Sequence, residues 1–227
     1  MKWRHLAAPA TIRWRSGIKH DCSRVMELFQ DDGFLRNGLG EHVQLEDTYL
    51  FPLLKSSDLA PTKGAQAARQ MLVTQRQIGE DTVTIESVAP HTWSYLCGHA
   101  ELLDRRRSSI YRNRPRFSVF GVGSYSFAPW KVAISGFYKS LRFTVVGPRH
   151  GKPTVVDDTV YFLPCRTEQE AKFMLRLVDS EPAQELLSAL VFWDAKRPVT
   201  IQLLGRLDLR AVADELGIGE EYERYAR

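Results

Sequence analysis

Between residues 105 and 156 the chain contains no aspartate and no glutamate. The same stretch carries eleven basic side chains: Arg105, Arg106, Arg107, Arg112, Arg114, Arg116, Lys131, Lys139, Arg142, Arg149 and Lys152. The net charge of all 227 residues is only +4, so the remainder sums to −7. Any fold must either cover this positive segment with the acidic flanks or leave it facing solvent. A solvent-facing cluster of arginine and lysine favours a polyanion, because neutralising phosphates releases their condensed counterions. The open alternatives are an exposed basic face with no partner, and flanks that fold over and neutralise it.

The chain is long enough for one large domain or two small ones with a proper core. No run of 18 apolar residues exists, so no membrane span is expected, and the basic N-terminus lacks the apolar centre of a secretory signal. Cys22, Cys97 and Cys165 form no CxxC pair and read as reduced thiols of a cytoplasmic protein; the six histidines show no zinc-ligand spacing.

In chain order, residues 1–15, with aromatic and basic residues around Trp3, Trp14 and Arg15, look like a docking arm or the tail of something longer. Gly17 permits a tight turn beside Lys19 and His20, a grouping suited to anion contact or to a plain surface loop. VMELF at 25–29 reads as a strand, and 31–40 as turn-rich, with Asn37-Gly38 as the hairpin signal. Pro52 argues against a central strand at 49–60. MLVTQR at 71–76 and TVTIES at 82–87 suit a pair of strands. A helix follows Pro90, with Thr92 as cap and Trp93, Leu96, Ala100 and Leu103 on one face, running into Arg105–Arg107. Cations at that helix end are favoured by the dipole, which is a purely structural account of the triplet.

Four β-like segments follow at 117–123, 131–135, 142–147 and 154–163, interleaved with aromatics. After Pro164 the pattern turns helical: Thr167 with Glu170 as a capping box, a restart at Ser180-Glu181-Pro182, and a third helix capped by Asp208 and stopped by Gly217. The last ten residues are charged and read as frayed.

Chemistry is sparse. FGVG at 120–123 lacks both the following helix and the acidic residue that a dinucleotide or adenosyl site needs, and suits a turn where backbone approaches a neighbour. Asp157, Asp158, Asp194 and Lys196 offer the parts of a magnesium-dependent nuclease. No GxSxG nucleophile motif or Walker loop is present. Arginines can fork onto phosphates and guanine edges, and a glycine–aromatic loop such as 123–130 can enter a groove.

RSGIKHD at 15–21, NGLGE at 37–41, YLFPLLKSSD at 49–58, TQRQIGEDT at 74–82, the long run at 103–139, DDTVYFL at 157–163 and FWDAKRPVT at 192–200 occur in order. Together they resemble the C-terminal, target-recognition half of bacterial N6-adenine DNA methyltransferases of the fused restriction–modification kind. The catalytic half of such enzymes carries a glycine loop for S-adenosylmethionine and an Asn/Asp-Pro-Pro-Tyr/Phe motif; neither is in this chain. The resemblance therefore implies specificity without catalysis, with S-adenosylmethionine expected in a catalytic part outside this chain.

The expectation is an α+β protein. A β-rich recognition body at 1–165, with an internal helix near 92–107, would carry a helical section at 166–227. Its expected role is sequence-specific binding of double-stranded DNA, in partnership with a methyltransferase catalytic domain or subunit and with no membrane involved. Lys19, Arg105, Arg106, Arg107, Arg112, Arg114 and Arg116 are the candidate phosphate or guanine contacts. Tyr125, Trp130, Lys131 and Lys139 would line DNA-facing loops, with His20 as a nearby donor. No catalytic, cofactor or metal residue is assigned. The nuclease and a protein–protein subunit of a modification complex remain the alternatives.

Overall fold

The computed structural model describes residues 2–8, 12–31, 33–59 and 69–225. Residues 1 and 9–11 of the expected docking arm, position 32 of the turn-rich segment, position 60 and the last two residues of the tail lie outside them.

In chain order the elements are β1 (Arg15–Ser16), α1 (Ser23–Met26), β2 (Glu27–Asp31), β3 (Phe34–Asn37), β4 (His42–Val43), β5 (Leu50–Leu54) and β6 (Arg69–Leu72). Three short helices follow, α2 (Ile85–Val88), α3 (Pro90–Gly98) and α4 (Ala100–Asp104). Then come β7 (Trp130–Ser135), β8 (Thr144–Val146), β9 (Val155–Val156) and β10 (Val160–Cys165). The C-terminal helices are α5 (Glu168–Val178), α6 (Glu181–Leu190), α7 (Ile201–Leu204), α8 (Leu209–Glu215) and α9 (Gly219–Tyr225). The fold is α+β, as expected.

Two sheets organise the strands. A six-stranded sheet has the order β4-β3-β2-β6-β5-β9, antiparallel except for the parallel β5–β9 pair. A four-stranded antiparallel sheet has the order β1-β10-β7-β8. The four-stranded sheet shares its core with the C-terminal helices through Val132, Ile134, Leu163, Met174, Leu186 and Leu204, while α3 covers the larger sheet. Leu54, Ala133, Val146, Val156, Val160 and Phe162 form a layer drawn from both sheets.

The sheets are stitched at one crossing. The Asp157-Asp158-Thr159 turn carries the chain from β9 in one sheet to β10 in the other, closed by Val160 N–H donating to the Asp157 carbonyl at 3.0 Å. Gly17 leaves β1 at the same point: its N–H donates to the Val160 carbonyl at 3.1 Å, and the Ile18 N–H to the Val156 carbonyl at 2.8 Å. A β-carbon on Gly17 would fall inside van der Waals contact with the Val156 and Asp157 carbonyl oxygens, so only glycine fits.

Several sequence expectations change. Segment 154–163 is not one strand but β9, a turn and β10. Segment 50–54 is an interior strand despite Pro52. The Tyr49 carbonyl accepts from Val73 at 2.8 Å, which places Pro52 opposite Gln70 as a non-hydrogen-bonded pair. The proline nitrogen therefore faces β9, where pairing begins only at Leu53, and no ladder bond is lost. Segment 82–87 is not a strand: the Asp81 carboxylate accepts from the Val83 N–H at 3.0 Å, an Asx turn that leads into α2. Segment 117–123 is not one either, because Phe117 and Gly121 have φ of 65° and 69° and leave only an isolated bridge between Lys19 and Phe120.

The strand expected at 25–29 starts as one helical turn. The Asn37-Gly38 turn does join two paired strands, held by the Asn37 side chain accepting from the Leu39 N–H at 2.9 Å. The helix beginning at Pro90 breaks at His99 and ends at Asp104, so the arginine triplet lies beyond it. The described part of the N-terminal segment packs on the chain's own C-terminal helices and sheet. Leu6 is fully buried on the C-terminal helices, its carbonyl accepting from the Asp208 N–H at 3.0 Å, and Trp14 packs on Phe143. The tail is not frayed up to Tyr225: α9 buries Tyr222 and stacks Tyr225 on Phe173 at 5.0 Å. The expected caps Thr167, Ser180 and Asp208 precede α5, α6 and α8, and the side chains of Thr167 and Asp208 accept backbone N–H bonds.

Thr92 is not the cap of its helix. Glu46, from the 44–46 linker, reaches across and accepts from the N–H groups of His91 and Thr92, both at 2.8 Å, and from the Thr92 hydroxyl at 2.7 Å. Burial alone would raise this carboxyl, but these hydrogen bonds hold it down at about 2. Its pKa is depressed by folding, so its contribution is present above the ordinary carboxylate range and is lost as pH falls toward about 2. Glu46→Gln is expected to cost about 1–2 kcal/mol at neutral pH in urea melts, with the difference from wild type vanishing in acid. An unchanged midpoint at neutral pH would contradict this role.

Candidate nucleic-acid interface

The arginine loop begins where α4 stops at Arg105 and returns to the core at Phe117. Phe117 is fully buried and meets Trp93 edge-on at 5.4 Å; its carbonyl accepts from the Thr74 hydroxyl at 2.7 Å. In between, the loop is held by Arg106. Its Nε donates to the Leu103 carbonyl at 2.7 Å and its Nη1 to the Ser118 and His20 carbonyls at 2.6 and 3.2 Å. The guanidinium lies 3.8 Å from the centre of the Tyr111 ring, and the Tyr111 hydroxyl donates to the Lys19 carbonyl at 3.2 Å. Burial lowers the Arg106 pKa and raises that of Tyr111. Arg106 is thus a structural clamp facing inward, contrary to its expected place among the contacts.

The clamp leaves three neighbours free. Arg107, Arg112 and Arg114 are exposed, and among the described residues their guanidinium groups have no ion-pair or hydrogen-bond partner. Asn113, between two of them, sits at φ 56°, a left-handed position that asparagine tolerates. Arg105 pairs with Glu101 one helical turn back, and Arg116 with Asp104 at 2.8 Å. Both pairs are solvent-exposed and cost little to open. A pocket of about 330 Å³ lies under the loop, lined by Asp104, Arg106, Tyr111, Arg114 and Arg116 over the base of Phe117.

The other expected contacts are dispersed. Lys19 is partly exposed and 3.6 Å from Asp21, beside the loop. His20 is buried, with Nε2 3.3 Å from Glu27 and Nδ1 accepting from the Cys22 N–H at 3.2 Å, so it is not a surface donor. Lys131 does not line a loop. β7 is an interior strand covered on both faces, and Lys131 shares the face of Ala133, toward the layer between the sheets. It is 1% exposed, donates to the Ala128 carbonyl at 2.6 Å, and is lowered by burial to about 7. Tyr125 lies under Arg15, 4.5 Å away, and beside Phe162; Trp130 packs over Gly147. Lys139 is exposed on the 136–142 loop, with no described contact to the arginine loop.

One constellation went unseen in the sequence. The buried Glu27 carboxylate lies 2.7 Å from Lys55, 3.3 Å from His20 and 3.8 Å from Arg69. Lys55 also lies 3.5 Å from Asp157, and Arg69 3.5 Å from Asp58. The network sits behind the 17–21 turn whose carbonyls anchor Arg106 and Tyr111. Its charges are scattered from residue 20 to 157, so no local spacing signals it.

The nuclease parts are not assembled. Asp157 is buried in the sheet crossing and bonded by Thr159, Asp158 faces Arg197 at 3.6 Å, and Asp194 and Lys196 are exposed on the loop that also carries Arg197. Among the described residues no three His, Cys, Asp or Glu side chains are placed to hold a metal ion. The FGVG glycines serve packing: Gly121 backs onto the Gly17 carbonyl and Gly123 onto the Tyr125 ring. No described helix is long and apolar enough to cross a membrane.

Known proteins share parts of this chain's sequence. The chain is similar to a type II methyltransferase. It is 53% identical over 204 residues to M.NspV of Nostoc sp. (strain ATCC 29411 / PCC 7524), covering 90% of this chain and 42% of that protein. The chain therefore spans less than half of the relative it matches and is related to one part of it. A solved structure of the type IIL restriction–modification enzyme MmeI in complex with DNA matches at a TM-score of 0.43 and 10% identity, over 94% of this chain and 34% of that one. No family model matches.

Proposed function

We propose that this chain is the DNA-recognition part of a restriction–modification methyltransferase, and that residues 105–116 meet double-stranded DNA. The observation that carries the reading is the division of labour in the arginine loop. Arg106 is spent on holding the backbone, while Arg107, Arg112 and Arg114 are left exposed and unpaired among the described residues. A loop fixed before binding loses less conformational freedom when it engages phosphates or base edges. Similarity to part of a methyltransferase supports the same reading. Phosphate contacts would position the chain, and a minority of side chains would read bases. In this reading the chain has no catalytic activity alone. Methyl transfer, with S-adenosylmethionine, belongs to the remaining part of the enzyme, which is the expected partner.

The test is a binding selection from random duplex DNA. Wild type should enrich one motif. Arg112→Ala and Arg114→Ala should each weaken binding by about tenfold or more, with the salt slope falling by roughly one for each arginine–phosphate pair removed. A wild-type protein that enriches nothing and shows no salt-dependent binding would sink the reading. Co-purification with a methyltransferase in that case would favour a protein–protein subunit.

A further inference from the structure

We propose that the pocket between the end of α4 and residues 114–117 is a seat for a single phosphate group. For its natural ligand, a phosphate of the DNA backbone, the claim rests on the function proposed above; for the pocket itself it does not.

Three arginines, Arg106, Arg114 and Arg116, are among the residues that line a space of about 330 Å³, with one acid, Asp104. That carboxylate is already engaged by Arg116 at 2.8 Å. The other acid nearby, Asp21, lies 3.6 Å from Lys19. The lining is therefore net positive after internal pairing. Helix α4 ends here, and its free carbonyls would repel an anion, but the Leu103 carbonyl is capped by Arg106 Nε at 2.7 Å. Arg106 thus satisfies one of those carbonyls and supplies charge from a fixed position.

The geometry favours phosphate over a carboxylate. Planar guanidinium forks match both, but a tetrahedral oxyanion offers more oxygens to a lining that holds three arginines. The backbone that carries two of these arginines is held by tight turns. Asn113 and Phe117 hold φ of 56° and 65° on either side of Arg114 and Arg116, and the buried Phe117 ring locks the second of these turns. An apolar ligand is disfavoured because the walls are charged.

The experiment follows arginine side-chain Nε–H NMR signals of the chain during titration with inorganic phosphate, with sodium chloride at matched ionic strength as the control. A saturable response in wild type is expected, about tenfold weaker in Arg114→Gln, as for the loss of one charge-assisted hydrogen bond. Arg114 is exposed, so this substitution leaves no buried charge behind, and a thermal melt confirms the fold. A short DNA duplex should displace the phosphate. If phosphate gives only the drift seen with chloride, or binds Arg114→Gln equally well, the pocket proposal is overturned even where DNA binds. If phosphate saturates the pocket and no DNA binds, the seat stands and the DNA reading falls.

Discussion

Gly17→Ala is expected to be the most damaging single-methyl change in the chain, lowering stability by about 3 kcal/mol or preventing folding. The added carbon would meet the Val156 and Asp157 carbonyl oxygens, with the Gly121 position packed against the Gly17 carbonyl from the other side. None of these atoms is the free end of a side chain. The Gly17 and Ile18 N–H groups are bonded across the same crossing, so the backbone cannot retreat without losing them. Because β1, β9 and β10 all pass this point, the disturbance reaches both sheets. Gly98→Ala is the matched control: a β-carbon there meets nothing within 4 Å. Urea melts should show a large loss of midpoint for Gly17→Ala and a change within about 0.5 kcal/mol for Gly98→Ala. Equal midpoints for the two variants would show that the crossing is not tight.

Glu27→Ala should be comparably severe, costing about 3 kcal/mol or more, because it removes the common partner of three cationic or hydrogen-bonding groups. Lys55 and Arg69 would keep only the more distant Asp157 and Asp58, at 3.5 Å each, and His20 would lose its one carboxylate neighbour in the network. Glu27→Gln isolates the charge. Burial by itself would raise the Glu27 carboxyl, but the hydrogen bonds from His20 and Lys55, and their charge, hold it below its ordinary value. A carboxyl depressed by folding contributes stability above the ordinary carboxylate range and loses it as pH falls through the folded-state value. The gap between wild type and Glu27→Gln should therefore be widest near neutral pH and close in acid. Asp157, raised by burial, has the opposite sign and is present in both proteins. A gap that stays constant across the titration would show that Glu27 acts by shape and not by charge. Since His20 lends its carbonyl to Arg106, these variants should also loosen the arginine loop.

Short-range information was legible. Thr167 and Asp208 cap helices because a cap depends on residues two or three positions away. Segments 131–135 and 142–147 are strands where β-rich runs between turn residues placed them. Errors arose where a distant group intervened. Glu46, more than forty residues upstream, caps the helix assigned to Thr92. Pro52 sits in an interior strand because β9 begins one residue too late to need its N–H. In the candidate interface, counting arginines located the loop but could not sort it. Arg106, Arg107 and Arg112 have the same side chain in the same acid-free stretch, and they differ only in what lies opposite them.

Two properties could be read from residue order alone: positive charge is concentrated between residues 105 and 156, and strands precede a helical C-terminal section. Those properties depend on composition and on spacing over a few residues. The burial of Lys131 and His20, the clamp role of Arg106 and the exposure of Arg107, Arg112 and Arg114 appear first in the folded chain. The reason is electrostatic. Whether a charge is exposed or buried depends on the acceptors the fold brings within about 4 Å of it. Here those acceptors, the carbonyls of His20, Ser118 and Ala128 and the carboxylate of Glu27, are placed by the folded chain.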